Sequence, residues 1–291
     1  MIAGIDLGGT QVRVAVAPSD GQITGSARTA TVGLGGPEGM VAWVKAQTDR
    51  LRSEKALKSV GVGAPGPIDL RQGRLVNPPN LPGWRDVPLV AMLTEALGCP
   101  AHLENDANLA GLAEFRRGAG AGTRSMVFIT WSTGVGAALI VDGKLFSGAH
   151  GTAGEVGHMI LDPTGPLDQC GQRGCVEAFC GGAALARQTG EPAERIFQEA
   201  AAGDKEAGMR VTRAATYMGQ ALVNVTNLLD PEVIVIGGGV ASSWSQVEPV
   251  LRSVLEASPF IKPERRPRLR RARLGGSAGQ VGAVEWAREN L

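Results

Sequence analysis

Short apolar segments separated by glycine turns recur along this chain. Residues 2–7 form an apolar run, and residues 11–17 alternate apolar and polar side chains with a period of two. Both patterns are typical of β-strands, so the segment predicts a strand, a tight turn and a second strand. The same order returns at residues 125–131 and 137–141, on either side of a second glycine turn.

Further strands and helices follow from the same periodicities. Strands are predicted at residues 23–30, Ser59–Ala64, 101–103 and 233–236. Helices are predicted at residues 38–52, 87–97, 107–117, 183–188, 192–201, Lys205–Leu229, Trp244–Ala257 and 279–289. The arginine-rich run 265–273 has two interpretations, an anion site or a solvated edge strand around Leu269, and the second is favoured.

Composition narrows the class of protein. The chain has 291 residues, which predicts one large or two medium domains, and a net charge of +1, which does not indicate a nucleic-acid or membrane partner. Met1 leads directly into an apolar strand without a signal-peptide pattern, and no apolar run reaches the ~18 residues of a membrane span. We therefore expect a soluble, cytoplasmic protein.

One stretch, from Gly148 to Cys180, concentrates residues that carry chemistry. It holds two of the three histidines, three of the four cysteines and two glutamates. In one interpretation, His158, Cys170 and Cys175 bind a metal ion, because the spacing of the cysteines fits a zinc loop. In the other, the stretch is a glycine-rich loop with buried thiols. The crowding of cysteines in one loop favours the metal over a secreted disulfide framework.

The glycine turns are candidates for phosphate binding. Gly8-Gly9-Thr10 follows the first strand and offers backbone N–H groups that no side chain covers. Asp6, at the end of that strand, could hold Mg²⁺ through water. An ordinary hairpin with a glycine turn is the alternative. Ser132-Thr-Gly-Val-Gly136 repeats the design, and Gly237-Gly-Gly239 is a third turn suited to a nucleotide base and ribose.

Asp106 lies where a predicted strand meets a helix, next to Asn105. A carboxylate in that position can accept the proton of a substrate hydroxyl, as the catalytic Asp does in phosphoryl transfer. Alternatively, Asp106 is the N-cap of the helix, a position that Asp favours. The two roles are compatible.

Taken in order, these motifs resemble the ROK family of sugar kinases across nearly the whole chain. The matching motifs are Asp6-Leu-Gly-Gly-Thr10, Asn80-Leu-Pro-Gly-Trp84, Glu104-Asn-Asp106, Ser132-Thr-Gly-Val-Gly136, the signature from Gly148 through Gly154-Glu-Val-Gly-His158, and Gly237-Gly-Gly239. The second of these looks most like the bacterial glucokinases. The resemblance implies an α/β, two-lobed actin-like ATPase (ribonuclease H-like) fold, with ATP and sugar in the cleft between domains. The expected domains are residues 1–106, completed by helix 279–291, and residues 107–278.

The resemblance also implies an activity and residue roles. Asp106 would be the general base in ATP-dependent phosphorylation of a hexose, glucose first, with fructose, mannose and N-acetylmannosamine as alternatives. Asn105, Glu155, His158 and Glu177 would bind the other sugar hydroxyls, and Asp6 would hold Mg²⁺. The implied ATP-binding residues are Gly8, Gly9, Thr10, Thr133, Gly134, Gly237 and Gly238. A homodimer or homotetramer is expected.

The chain departs from the family at the implied zinc site. The family loop reads C-x-C-G-x-x-G-C after the signature, whereas here Asp168 stands in place of the first cysteine. Carboxylate oxygen also ligates Zn²⁺, so a structural zinc on His158, Asp168, Cys170 and Cys175 is implied as feasible.

Some ROK proteins are sugar-sensing repressors rather than kinases. Those carry an additional N-terminal helix-turn-helix domain, whereas the first strand here begins at Ile2, which favours the kinase. An inactive sugar-binding homologue is disfavoured because Asp106 and all the glycine turns are present.

Overall fold

The structure is a computed structural model that describes residues 1–52 and 54–291. The chain forms two compact units. Unit 1 comprises Met1–Gly118, Ser147–Ala153 and Gly276–Leu291, and unit 2 comprises Ala119–Phe146 and Gly154–Gly275. Among the described residues, none of the helices combines the length and apolar character needed to cross a bilayer.

The described residues form strands and helices in alternation. The strands are β1 (Ile2–Leu7), β2 (Gln11–Ala17), β3 (Gly25–Ala30), β4 (Ser59–Ala64), β5 (Ile68–Asp69), β6 (Arg74–Leu75), β7 (Ala101–Asn105), β8 (Met126–Trp131), β9 (Val135–Val141), β10 (Lys144–Leu145), β11 (Val233–Gly237) and β12 (Arg268–Arg271). The α-helices are α1 (Pro37–Arg52), α2 (Leu89–Leu97), α3 (Asp106–Arg117), α4 (Val176–Cys180), α5 (Gly182–Thr189), α6 (Ala193–Ala201), α7 (Lys205–Leu229), α8 (Trp244–Ala257) and α9 (Ala278–Glu289).

The main sheet of unit 1 has the order β3-β2-β1-β4-β7. Strands β1, β2 and β3 form antiparallel hairpins, and β1, β4 and β7 run parallel. All six residues of β4 are buried, as expected for a parallel strand that is covered on both faces. The carboxyl ends of β1 and β7 place Asp6 and Asn105 at the same edge of the sheet.

Unit 2 repeats this topology with different residues. Its sheet has the order β10-β9-β8-β11-β12, again with two antiparallel pairs followed by two parallel pairs. The repetition corresponds to the two strand–glycine turn–strand patterns in the sequence. Strand β12 lies at the sheet edge, so the interpretation of the arginine-rich run as an edge strand is confirmed.

Helix α9 packs directly on the unit 1 sheet through two glycines. A Cβ atom on Gly4 would lie 2.5 Å from the backbone nitrogen of Val284, and one on Gly61 would overlap the carbonyl oxygen of Ala283. The helix also contacts α3, where a Cβ on Gly282 would overlap the Leu109 carbonyl. Only glycine permits so close an approach of backbones.

The structure differs from the sequence-based expectations in several elements. Helix α3 belongs to unit 1 because it packs on α9, whereas the sequence placed residues 107–278 in the second domain. Strand β7 continues through Asn105, beyond the predicted 101–103. The short elements α4, β5 and β6 were not predicted, because two to five residues are too few to show a periodicity.

Candidate active site

The first glycine turn is shaped by contacts from distant parts of unit 1. Gly8 N–H donates to the Gln11 carbonyl (2.9 Å), and the Thr31 hydroxyl donates to the Gly8 carbonyl (2.7 Å). Gly9 has no room for a side chain, because a Cβ there would overlap the carbonyl oxygen of Asn80. The turn therefore exposes backbone rather than side chains, as a phosphate site requires.

Asp6 leaves strand β1 beside this turn. Burial raises the pKa of its carboxyl group, and the guanidinium of Arg13, 3.3 Å from Oδ2, partly offsets that rise. Arg13 lies directly opposite Asp6 on β2, so the ion pair follows from the strand register. One oxygen of the Asp6 carboxylate is therefore paired with the guanidinium group of Arg13.

Asp106 is not the N-cap of α3. That position belongs to Asn105, whose Oδ1 accepts from the N–H groups of Ala107 (2.9 Å) and Asn108 (3.3 Å). Asp106 is the first helical residue, and its Oδ1 accepts the Ala107 N–H (2.8 Å). Burial, assisted by the negative charge of Asp6, raises the pKa of Asp106 to about 6. A carboxylate with a pKa near neutrality is suited to accept a proton.

Glu104 supports this segment. It belongs to the Glu104-Asn-Asp106 motif, but no role was predicted for it from the sequence. It is 1% exposed, and its oxygens accept from Asn105 N–H, from the Asn108 side chain and from the Ser147 hydroxyl (2.8–2.9 Å). A buried acid must be hydrogen-bonded in this way, so Glu104 fixes the start of α3 and the segment Ser147–Ala153. The sequence signal that could have indicated this supporting role is the position of a charged residue, Glu104, between the strand predicted at 101–103 and the helix predicted at 107–117.

In unit 2, the segment 154–158 lies against strand β9. A Cβ on Gly154 would lie 2.8 Å from the Ala137 carbonyl, and one on Gly157 would overlap the Val135 carbonyl. The two glycines let the segment follow the strand closely, which leaves Glu155 exposed. This is the physical reason for the Gly-Glu-Val-Gly-His pattern.

His158 presents its two ring nitrogens to different partners. Nε2 lies 3.9 Å from a Glu155 oxygen, and Nδ1 lies 3.6 Å from Oδ2 of Asp168. Nδ1 is buried without a hydrogen bond, and so is Oδ1 of Asp168. Two unpaired polar atoms in one buried place indicate a missing ligand.

Those atoms belong to a cluster that fits a metal ion. One ligand atom each from His158, Asp168, Cys170 and Cys175 lies within 4.8 Å of all the others. The two sulfur atoms are 3.7 Å apart, and two thiolates bound to one tetrahedral zinc at ~2.3 Å would be ~3.8 Å apart. Burial and the neighbouring Cys170 raise the pKa of Cys175 to about 11, so the thiol is protonated unless a cation binds.

Glu177 and the second glycine turn are joined by a hydrogen bond. The Val135 N–H donates to Glu177 Oε2 (2.6 Å), and the α-carbon of Gly134 lies against the same carboxylate. Within the described residues, Oε1 of Glu177 accepts no hydrogen bond. One oxygen of this acid therefore orders the turn, and the other is available to a ligand.

A cavity of about 580 Å³ opens beside this turn, entirely within unit 2. Its walls come from the turn, from α5 and α6 and from the segment after β11, including Thr133, Ala183, Phe197 and Gly239. The volume is that of a drug-sized or nucleoside-sized ligand.

Gly237 and Gly238, in the third turn, are closely packed and are not among the residues that line this cavity. A Cβ on Gly237 would lie 2.8 Å from the Phe128 ring, and Gly238 has φ +78° against the Trp131 carbonyl. Gly239, the last residue of that turn, lines the cavity.

The predicted site residues thus form separate groups on the two units. Unit 1 carries Asp6, the first glycine turn, Asn105 and Asp106, and unit 2 carries Glu155, His158, Glu177, the metal cluster and the other two turns.

Comparison with known proteins identifies the family. The model of the ROK family matches residues 2–290. This chain belongs to the ROK family. It is 32% identical to a glucokinase from Halalkalibacterium halodurans, over 96% of this chain and 92% of the relative. It is 33% identical to an N-acetylmannosamine kinase from Yersinia pestis, over 99% and 98% of the two chains.

A solved structure of a family member also superposes well. It is a ROK glucokinase from Streptomyces griseus in complex with glucose and AMPPNP, with a TM-score of 0.78 and 31% identity over 99% of each chain. The expected family and the actin-like ATPase fold class are therefore confirmed.

Proposed function

We propose that this ROK kinase transfers the γ-phosphoryl group of ATP to a hexose, with glucose as the preferred substrate and Asp106 as the general base. The observation that carries the proposal is the state of Asp106. It is a partly buried carboxylate with a pKa of about 6, it does not cap its helix, and it lies in the same unit as the first glycine turn.

Asp106 would accept the proton of the attacking sugar hydroxyl as the oxygen bonds to phosphorus. Phosphoryl transfer of this type requires little covalent chemistry from the protein, so positioning and charge stabilisation contribute most of the rate. Asn105, Glu155, His158 and Glu177 are proposed to bind the remaining hydroxyls. Two features support this assignment: Oε1 of Glu177 is available, and Glu155 is exposed beside His158 Nε2.

For the nucleotide, we propose that the cavity beside the second glycine turn takes the adenosine. Thr133 lines it directly, and Gly134, Gly237 and Gly238 belong to the two glycine turns whose neighbouring residues line it. Gly9 and Thr10 would offer backbone N–H groups to the phosphates, while Gly8 closes the first turn through its bond to the Gln11 carbonyl. Asp6 would hold the hydrated Mg²⁺, which neutralises charge on the phosphates during transfer.

For the metal cluster, we propose a structural Zn²⁺ held by His158, Asp168, Cys170 and Cys175. The unpaired Nδ1 and Oδ1 atoms and the sulfur spacing support it. The bound ion would fix the ring of His158 through Nδ1, which keeps Nε2 directed toward a sugar hydroxyl.

The decisive experiment is a substrate panel with purified protein. ATP consumption is coupled to product formation for glucose, mannose, fructose and N-acetylmannosamine. We expect the largest kcat/KM for glucose. A larger value for N-acetylmannosamine would assign the chain to the activity of its Yersinia pestis relative. Sugar binding by calorimetry without phosphorylation of any sugar would contradict the kinase and indicate a sugar-sensing regulator.

A further inference from the structure

Helix α4 holds the second glycine turn, residues 132–136, from behind. The Val135 N–H donates to Glu177 Oε2 (2.6 Å), and the indole N–H of Trp131 donates to the Cys180 carbonyl (2.7 Å). Trp131 immediately precedes the turn and is fully buried. Helix α4 is therefore bonded to Val135 within the turn and to Trp131, the residue just before it.

The segment that follows α4 continues this attachment. Gly182 N–H donates to the Ser132 carbonyl and Ala183 N–H to the Thr133 carbonyl, each at 2.8 Å. The same four residues line the nucleoside-sized cavity. The wall of the cavity is thus made at the contact between the turn and this segment.

The other end of α4 begins at the metal cluster. Cys175 is the N-cap of the helix, and the next residue, Val176, donates its N–H to the Met159 carbonyl (2.9 Å). Met159 in turn follows the candidate ligand His158 directly. Two of the four candidate ligands are therefore attached to the first residues of α4.

Helix α4 and the turn are closely packed, with no room for an additional atom between them. A Cβ on Gly134 would overlap the Glu177 carboxylate, and one on Gly181 would lie 2.8 Å from the Glu177 carbonyl oxygen. Four of the five residues of α4 are buried. Close-packed interiors transmit displacements instead of absorbing them, so a shift of α4 must move the turn.

We infer that Glu177 is a positioning residue for the second glycine turn, and that helix α4 couples the metal cluster to the nucleotide cavity. This inference rests on the proposed function for the identity of the ligand in the cavity. Its consequence is that the metal sets affinity for the donor nucleotide as well as for the sugar. A metal that served only to orient His158 would leave the nucleotide unaffected.

The test measures ADP binding by calorimetry in the absence of sugar, with zinc-loaded protein and with protein stripped by a zinc-selective chelator and dialysed. Because the turn loses hydrogen bonds of which one is charge-assisted, we expect the Kd for ADP to rise about tenfold on stripping. Circular dichroism verifies that the stripped chain keeps its helices. An unchanged Kd overturns the inference, and so does a chain that takes up no zinc.

A pair of variants tests the attachment of helix α4 to the turn, at a residue that is not one of the candidate metal ligands. Trp131→Phe removes the indole donor to Cys180, and we expect a weaker Kd for ADP with an unchanged Kd for glucose. Trp286→Phe is the matched control, because the indole nitrogen of Trp286 makes no hydrogen bond in the described structure. Equal ADP affinities in the two variants overturn the inference.

These outcomes separate the inference from the proposed function. Loaded protein that binds no ADP would remove the nucleotide site and the inference together. ADP binding that is indifferent to zinc and to Trp131→Phe would overturn the inference alone and leave the kinase in place. Zinc-dependent ADP binding without transfer to any sugar would support the inference and contradict the kinase.

Discussion

At the scale of single residues, hydrogen-bond partners distinguish the two acids Glu104 and Asp106. Glu104 is buried and saturated with hydrogen bonds, so it fixes backbone. Asp106 accepts from the neighbouring Ala107 N–H and from no side chain in the described residues, and burial raises the pKa of its carboxyl group to about 6. Asp106 therefore has a basic oxygen available for a substrate proton, whereas Glu104 does not.

Replacing Asp106 with Asn should therefore abolish the proton acceptor while keeping the shape. We expect kcat to fall by roughly 10² or more, with a smaller change in sugar affinity. In the unchanged protein, kcat/KM should fall as the pH drops below about 6, because protonated Asp106 cannot act as a base. Steady-state kinetics across pH check both expectations. Near-normal turnover of Asp106→Asn would leave this residue without a catalytic role.

The same substitution should stabilise the fold at neutral pH. A carboxyl group whose pKa is raised on folding contributes stability below its unfolded pKa of 3.8, and this contribution is lost as the pH rises through about 6. At pH 8, Asp106→Asn should raise the free energy of unfolding by roughly 1–3 kcal/mol, and the gain should vanish near pH 4. Urea titrations measure it. Asp142→Asn, at a side chain 79% exposed, is the control that should show no such gain.

A substitution of Glu155 tests the proposed binding of sugar hydroxyls more directly than one of Glu177, because Glu177 also holds the second glycine turn. Glu155→Gln replaces a charged acceptor by an amide on an exposed side chain. A charge-assisted hydrogen bond contributes ~1.5–3 kcal/mol, so the KM for sugar should rise about tenfold or more while the KM for ATP stays unchanged. Parallel increases in both KM values would indicate a structural role for Glu155.

At the scale of elements, close backbone contacts shape the site. The segment 154–158 follows β9 only because Gly154 and Gly157 have no side chain, and α9 reaches the unit 1 sheet through Gly4 and Gly61. These glycines allow the backbones of elements that are distant in the sequence to lie in contact.

Gly157→Ala should therefore disturb both stability and sugar binding. The new Cβ would overlap the Val135 carbonyl, so the free energy of unfolding should fall by ~1–3 kcal/mol, and Glu155 and His158 should be displaced. Gly208→Ala is the matched control, because no atom lies within 4 Å of a Cβ at that helical position. It should be neutral or stabilise by up to ~1 kcal/mol. Equal effects of the two substitutions in urea titrations would contradict the packing argument.

At the scale of the whole molecule, one topology is used twice for different purposes. Unit 1 carries Asp6 and Asp106, and unit 2 carries the cavity proposed for the nucleotide and the candidate metal cluster. The metal loop has few large apolar residues of its own, so the proposed ion is the main source of order there. The homodimer or homotetramer implied by the family resemblance stays a prediction, which light scattering on purified protein checks.

Purified protein should carry close to one zinc per chain by elemental analysis. Asp168→Cys should slow the loss of zinc to a chelator, because a thiolate suits Zn²⁺ better than a carboxylate, and Asp168→Ala should accelerate it. Removal of the metal should raise the KM for sugar before global unfolding occurs. A zinc-free preparation with full activity would reduce Cys170 and Cys175 to packed thiols.

The sequence by itself determined the longer strands, the long helices, the family and the chemical identity of the candidate residues. Local periodicity and motif order carry that information: Lys205–Leu229 and Trp244–Ala257 have the predicted ends, and the ordered motifs match the family from end to end. Each of these signals lies within a few residues of its neighbours in the chain.

Only the tertiary structure decided how those residues are used. Asn105 rather than Asp106 caps α3, Glu104 reaches Ser147, and Glu177 bonds the second glycine turn through one oxygen of its carboxylate. The assignments of Glu104 and Glu177 depend on contacts between residues 43 and 42 positions apart in the chain. Burial and hydrogen-bond partners at such distances follow from packing, and no local pattern in the sequence encodes them.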